Sequence, residues 1–393
     1  MSGAAIPPGD ARALARALVR VDSRNPSLAP DGPGESACVE LLRAVLDGWG
    51  FRTEVHDAAP NRPNLVARVG EAGGRALMFS GHLDVVGVEG MTHAPFDGEV
   101  RDDRLYGRGA CDMKGGVAAM CAAAARAADA GLGCELILTA VADEEWDSIG
   151  TRSVIARGVR ADAAIVTEPT RLAIAPAHRG FVWTTITVHG RAAHGSRYDV
   201  GIDAIRHAGL LLAELDTFES RELAQRTHPL LGRASWHASM IDGGLGMSTY
   251  PDRCTLRIER RTLPGETPAQ AVEEVRAACA RVRARRPSFD AEVALDLSQN
   301  PSDVAPDAPV VRCLSRAIAS AGDATRIEGL SAWTDAALLN EAGIPAICYG
   351  PGDIARAHAA AEWIEVAEIE RAARVLTLLA QSWAHDEEPT WRT

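Results

Sequence analysis

The stretch RALMFSGHLDVV (75–86) decides the fold, because an apolar run of strand length ends on His82 and Asp84 without an intervening turn signal. A continuous apolar run suits a strand covered on both faces, as in a parallel sheet. His82 and Asp84 stand two residues apart, so an extended chain projects them to one face. NLVARV (64–69) reads as a preceding strand, and helical periodicity covers Asp10 to Val21 and Glu35 to Trp49. Beyond it, Met113 to Asp129 reads as a small-residue helix, CELILTAVA (134–142) as a buried strand and AAIVTE (163–168) as another, ending in a carboxylate. This alternation predicts an α/β/α sandwich with a mostly parallel central sheet, whose sites gather at the carboxyl ends of the strands.

From about Arg179 the texture changes. FVWTTITVHG (181–190) alternates as a half-solvated strand should, followed by a helix at Ile202–Leu215, strands near 234–241 and 253–262, a helix from Pro268 to Arg285 and EVALDL (292–297). The order β-α-β-β-α-β predicts an inserted ferredoxin-like α+β domain. NPSDVAPDAP (300–309) leads back, and α/β alternation resumes through AICYG (346–350) to a terminal helix at Val366–Trp383. The expected division is therefore 1–178 with 300–393, and 179–299 inserted between them.

Length agrees with two domains, since 393 residues exceed the roughly 250–300 at which a single core stops growing. Lys plus Arg total 41 against 53 Asp plus Glu, a net charge of −12 with no long basic run, which excludes a phosphate-tracking nucleic-acid binder. No apolar stretch reaches the ~18 residues of a membrane span, and the N-terminal residues lack a signal-peptide h-region. The expected location is cytoplasmic. The eight cysteines form no CxxC pair and read as reduced thiols filling the core.

Five segments carry the chemistry. In SGHLDVV (80–86) a carboxylate beside an imidazole can fix its tautomer and raise its basicity, although a surface His and a turn Asp would look the same. GRGACDMKGG (107–116) sets Asp112 at the mouth of a helix after a Gly-rich turn, where it could equally be a cap. DEEWDSIGT (143–151) follows an apolar strand with Asp143, Glu144 and Glu145, which repel one another unless a cation or proton intervenes. Glu168 ends the next strand, and YGPGDIARAHAAAEWI (349–364) supplies His358 with Glu362 four residues later, on what would be one helical face. Taken together, His82, Asp112, Glu145, Glu168 and His358 suit two Zn²⁺ ions bridged by one carboxylate, with a neighbouring acid moving protons.

These motifs, in this order, resemble the dinuclear-zinc metallohydrolase family of acetylornithine deacetylase, succinyl-diaminopimelate desuccinylase, aminoacylase and glutamate carboxypeptidase. VDSRNPS (21–27), VTEPT (166–170), GRAAHGS (190–196) and the GPG of 350–352 extend the likeness over nearly the whole chain. The resemblance implies that Asp112 bridges the metals, with His82 and Glu168 on one ion and Glu145 and His358 on the other. It implies Glu144 as general base, Asp84 orienting His82, and a cis bond between Asp112 and Met113. It makes 179–299 a lid and dimerisation domain, so that a homodimer is expected. In that lid His194 would meet the oxyanion, in its own or the partner's site, and Arg261 would grip a substrate carboxylate, with Arg257 and Arg260 leaving the register open. Ser248 stands where relatives usually carry Asn. In SAWTDA (331–336), Thr334 belongs to a pocket-lining segment, and Trp333 replaces a small residue, either narrowing the pocket or packing the core. The implied activity is hydrolysis of an N-acyl amino acid by a zinc enzyme, with Co²⁺ or Mn²⁺ as substitutes. A carboxypeptidase or dipeptidase is the enzymatic alternative, and an inactive metal-binding regulatory relative is the alternative of another class.

Overall fold

The computed structural model describes residues 5–384. Two compact units emerge, one made of the chain through Pro176 with Val304–Glu328 and the segment from Thr334 onward, the other of Ala177–Asp303 with Gly329–Trp333.

The first unit is built on a sheet whose order runs Arg52–Ala59, Arg62–Val69, Glu135–Val141, Ala76–His82, Ala163–Val166, Ala346–Cys348, Ile174–His178. Its centre is parallel, pairing Ala76–His82 with Glu135–Val141 and Ala163–Val166, and the latter with Ala346–Cys348. Both margins are antiparallel. The central strands are apolar because helices cover both faces: Leu77, Met78, Phe79, Leu136, Ile137, Ala164 and Ile165 are wholly excluded from water. Gly115–Asp129 is almost entirely buried and packs against Val366–Trp383. Ala118, Ala119, Ala122 and Ala123 are buried in the first of these helices, and Ala372, Ala373 and Ala380 in the second.

The terminal helix and the buried strands fall where hydrophobic periodicity puts them. The strands at Arg52–Ala59 and Ile174–His178 are additions, as is a small sheet of Trp363–Glu365, Arg104–Tyr106 and Glu99–Arg101. That sheet overturns the helical face expected for His358 and Glu362. The chain there is a short 3₁₀ turn at Ile354–Arg356, then irregular backbone, then the Trp363–Glu365 strand.

The second unit is a four-stranded antiparallel sheet in the order Ser235–Gly243, Arg253–Thr262, Gly180–His189, Asp290–Gln299, with helices Ala204–Arg221 and Pro268–Arg285. This is the ferredoxin-like arrangement. Gly180–His189 alternates buried and half-buried residues along its whole length, and Ile186 and Val188 join Leu211, Leu215, Leu256, Val275 and Phe289 in one core. The second helix starts cleanly, with Pro268 in its first turn and a reciprocal Thr267–Gln270 capping box. Among the described residues all eight cysteines are buried free thiols, and no helix is long and apolar enough to cross a membrane.

Candidate metal centre

Four parallel strands deliver the candidate ligands at their carboxyl ends. Ala76–His82 ends on His82 itself, Glu135–Val141 leads into Asp143–Glu145, Ala163–Val166 leads to Glu168, and Ala346–Cys348 opens the loop that reaches His358. Asp112 comes from the loop before the Gly115–Asp129 helix, where the Asp112–Met113 peptide is cis, as the resemblance implies. Gly109 in that loop has φ +79°, and a Cβ there would lie 2.5 Å from Val85 Cγ1, so the turn that delivers Asp112 requires glycine.

The side chains converge. His82 Nε2 lies 3.2 Å from Asp112 Oδ1 and 4.0 Å from Glu168 Oε1, while His358 Nε2 lies 3.0 Å from Glu145 Oε2 and 3.6 Å from Asp112 Oδ2. Asp112 therefore turns one oxygen to each imidazole. Within His82–Asp112–Glu168, and again within Asp112–Glu145–His358, the ligand atoms all lie within 4.8 Å of one another. Glu168 Oε1 is buried with no hydrogen-bond partner, an orphaned acceptor aimed into the first of these groups. Two imidazole nitrogens with carboxylate oxygens are the donor set of a divalent transition metal, and the unpartnered oxygen fits one.

Electrostatics make the same demand. Burial and the neighbouring Glu168 push the Glu144 carboxyl well above its usual range, and burial with Asp112 does the same to Glu168. Burial also raises Glu145, beside Asp112. His82 is driven the other way: burial alone would lower it, but its bond to Asp112 and the charges of Glu144 and Asp84 raise it well above the usual histidine value. Crowded buried acids of this kind need cations or protons among them.

Asp84 does more than the sequence suggests. His82 Nδ1 bonds the Asp84 backbone carbonyl at 2.9 Å, whereas the carboxylate is 3.6 Å away. A carbonyl only accepts, so Nδ1 carries a proton, and Nε2 is the nitrogen that faces Asp112 and the site. The Asp84 carboxylate instead accepts the backbone N–H groups of Glu144 and Glu145, both at 3.1 Å. Asn25 donates to Asp84 at 2.8 Å and to Asp143 at 3.0 Å, and Arg62 joins Asp143 at 2.9 Å to Glu35 at 2.7 Å. Asn25, Glu35 and Asp84 have no exposed surface, Asp143 and Arg62 almost none. Asn25 lies inside the quoted VDSRNPS segment, which was the one signal for it. Glu35 and Arg62 are isolated charges with no sequence signal.

The remaining candidates lie elsewhere. In the second unit, His194 is exposed, and its Nδ1 accepts from the Ser196 backbone N–H at 3.3 Å and lies 2.8 Å from Ser196 Oγ. That leaves the proton on Nε2. Ser248 is exposed beside it, its carbonyl accepting the Gly195 N–H at 2.7 Å. Arg260 is buried and paired with Glu266 and Glu274, while Arg261 is half-exposed, paired with Glu259 and lying 5.6 Å from the Phe181 ring centre. Arg257 is exposed next to Met240. Trp333 takes the packing alternative: it is 9% exposed, donates to the Asn300 carbonyl at 2.9 Å and meets His178 and Phe181 edge-on. In the first unit Thr334 has no exposed surface, since its hydroxyl bonds Cys348 Sγ at 3.2 Å and caps the Ala336 N–H.

The profile of peptidase family M20/M25/M40 matches residues 78–382. An acetylornithine deacetylase of Myxococcus xanthus is 32% identical over 388 residues, 95% of this chain and 97% of its own. A succinyl-diaminopimelate desuccinylase of Gluconobacter oxydans is 34% identical over 358 residues, covering 85% and 87%. Among solved structures, a tripeptidase of Staphylococcus aureus superposes with TM-score 0.80 at 19% identity, covering 97% of this chain and all of that one, a likeness of fold.

Proposed function

The chain belongs to peptidase family M20/M25/M40, and from that premise we propose that it is a metal-dependent hydrolase of the amide bond in an N-acyl amino acid. The observation that carries this reading is Asp112, whose two oxygens serve two separate ligand groups while Glu144 Oε2 stands 3.9 Å from His82 Nε2. His82, Glu168 and Asp112 would hold one divalent ion, and Asp112, Glu145 and His358 the other, with Zn²⁺ the expected metal and Co²⁺ or Mn²⁺ substitutes. Such ions, when bound, polarise the scissile carbonyl and bring the pKa of water to ~7.

The chain's own groups do the rest. Glu144 takes a proton from the attacking water and returns it to the departing nitrogen, so the amide and one water become a carboxylic acid and an amine. A carboxylate at that place can serve both halves of that task. The Asp84 carboxylate fixes the Glu144 backbone for it. His194 donates from Nε2 to the developing oxyanion, and Arg261, a planar fork, holds the substrate carboxylate. Ser248 would contribute to the polar surroundings of His194. The reading also includes a homodimer formed through 179–299 and a cytoplasmic location.

The test is release of free amine from a panel of N-acyl amino acids and dipeptides by zinc-loaded wild type and Glu144→Ala. Turnover of N-acyl amino acids that drops at least 100-fold in the variant supports the reading. Equal rates remove Glu144 as base, turnover of dipeptides alone favours the peptidase alternative, and an inert wild type favours a regulatory relative.

A further inference from the structure

Glu362 has no exposed surface, and the proposed chemistry does not use it. Its Oε1 accepts the backbone N–H groups of two consecutive residues, Cys111 at 3.0 Å and Asp112 at 3.1 Å. Its Oε2 pairs with Arg108 Nη1 at 2.8 Å. Arg108 is 3% exposed and spends its other donors on the chain around the site: Nε on the Gly87 carbonyl at 2.9 Å, and Nη1 also on the Ala359 carbonyl at 3.4 Å. The Glu362 backbone carbonyl accepts from Gly107 at 3.3 Å and faces His93 Nε2 at 3.1 Å.

Two loops are thereby joined. One carries Asp112, the residue shared between the ligand groups; the other carries His358, next in sequence to Ala359. A buried carboxylate holds its charge only where donors and a counter-charge meet it, and this one draws both from the Asp112 loop. We propose that Glu362, with Arg108, is a positioning residue for the metal centre: it fixes the Asp112 backbone and the His358 loop in one relation, and so sets metal affinity in both ligand groups. Removing the carboxylate leaves two buried N–H groups and a guanidinium without their acceptor, next to Asp112. Outer partners of metal ligands commonly account for 10–100-fold in affinity.

The inference rests on the proposed metal centre, and the experiment separates the two. Full-length wild type, Glu362→Ala, Glu362→Gln, Arg108→Lys and Leu314→Ala are stripped with chelator. They are then titrated with Zn²⁺ against a competing indicator and with Co²⁺ while visible absorption is followed. Leu314 is fully buried in the Pro309–Ser320 helix, so its truncation lowers stability without touching the site. The expected result is two ions per wild-type chain and a 10–100-fold loss of affinity for both in Glu362→Ala. Glu362→Gln and Arg108→Lys lose less and shift the Co²⁺ bands, while Leu314→Ala keeps wild-type affinity despite a lower melting temperature. Should Glu362→Ala fail to fold, Glu362→Gln decides, because it keeps the volume and one acceptor. Wild-type affinity and bands in Glu362→Gln, or affinities within twofold in a folded Glu362→Ala, overturn the inference. A wild type that takes up no ions overturns the metal centre itself.

Discussion

Replacing Arg62 by Met tests how the turn carrying Glu144 and Glu145 is held. Arg62 is 8% exposed and binds Glu35 through two bonds, at 2.7 and 2.8 Å, and Asp143 through a third at 2.9 Å. Glu35 has no exposed surface and Asp143 is 2% exposed, so methionine of similar length leaves two buried carboxylates without their cation. Breaking a buried pair from one side costs about 3–5 kcal/mol. The pH dependence follows from Glu35, whose carboxyl burial already raises despite Arg62, with Asp84 adding to the rise. Without Arg62 its folded-state value rises further. A carboxyl whose folded pKa exceeds its unfolded value is harmless below the unfolded value and becomes costly as pH rises through the folded one. Urea unfolding of chelator-treated protein should therefore show Arg62→Met losing about 3–5 kcal/mol at pH 8 and visibly less at pH 5. Glu35→Gln combined with Arg62→Met should recover part of the loss at pH 8, since it removes one orphaned charge. A variant within about 1 kcal/mol of wild type at pH 8, or a deficit that grows on acidification, would refute the reasoning.

Asp112→Ala should abolish binding of both ions rather than one, read as metal per chain by elemental analysis after gel filtration; retention of two ions would contradict the shared role. His194→Ala should leave metal content unchanged while lowering kcat at least tenfold, and sedimentation of the wild type should give twice the monomer mass. His178 is buried neutral, its pKa pushed down to about 4 by burial. The unfolded chain therefore takes up its proton near pH 6.5 and the folded chain only near 4, so stability is full above 6.5 and falls between the two. Urea unfolding should lose about 2 kcal/mol between pH 7.5 and 5, and His178→Gln should flatten that slope.

The catalytic strands were legible because being buried on both faces writes an uninterrupted apolar run into the sequence, as at Met78 and Ile137. The inserted unit was legible because one solvated face writes alternation, as along Gly180–His189. The Arg52–Ala59 strand was not, since its burial pattern has no clean period. The candidate ligands stood out because acids and imidazoles directly after apolar strands are costly unless they serve something. The orienting groups did not. His82 is held through a main-chain carbonyl that any residue at 84 would supply. Glu35, Arg62 and Arg108 look like ordinary surface charges until tertiary structure buries them. Trp333 was ambiguous for a related reason, because a large indole suits a cavity wall and a core equally well, and its burial, its bond to the Asn300 carbonyl and its ring contacts with His178 and Phe181 appear only in the tertiary structure.

The candidate ligands differ in how far they are walled in: the His82 side chain is 1% exposed and that of Glu168 4%, but that of His358 is 52% exposed. Exchange with solvent should be lopsided as a consequence. An ion held on the His358 side would leave through an open door, whereas one held on the His82 side would have to wait for the fold to breathe. Brief dialysis against a weak chelator should then yield half-loaded molecules carrying their ion at the His82–Glu168 end, and the history of a preparation would govern how much of it is competent.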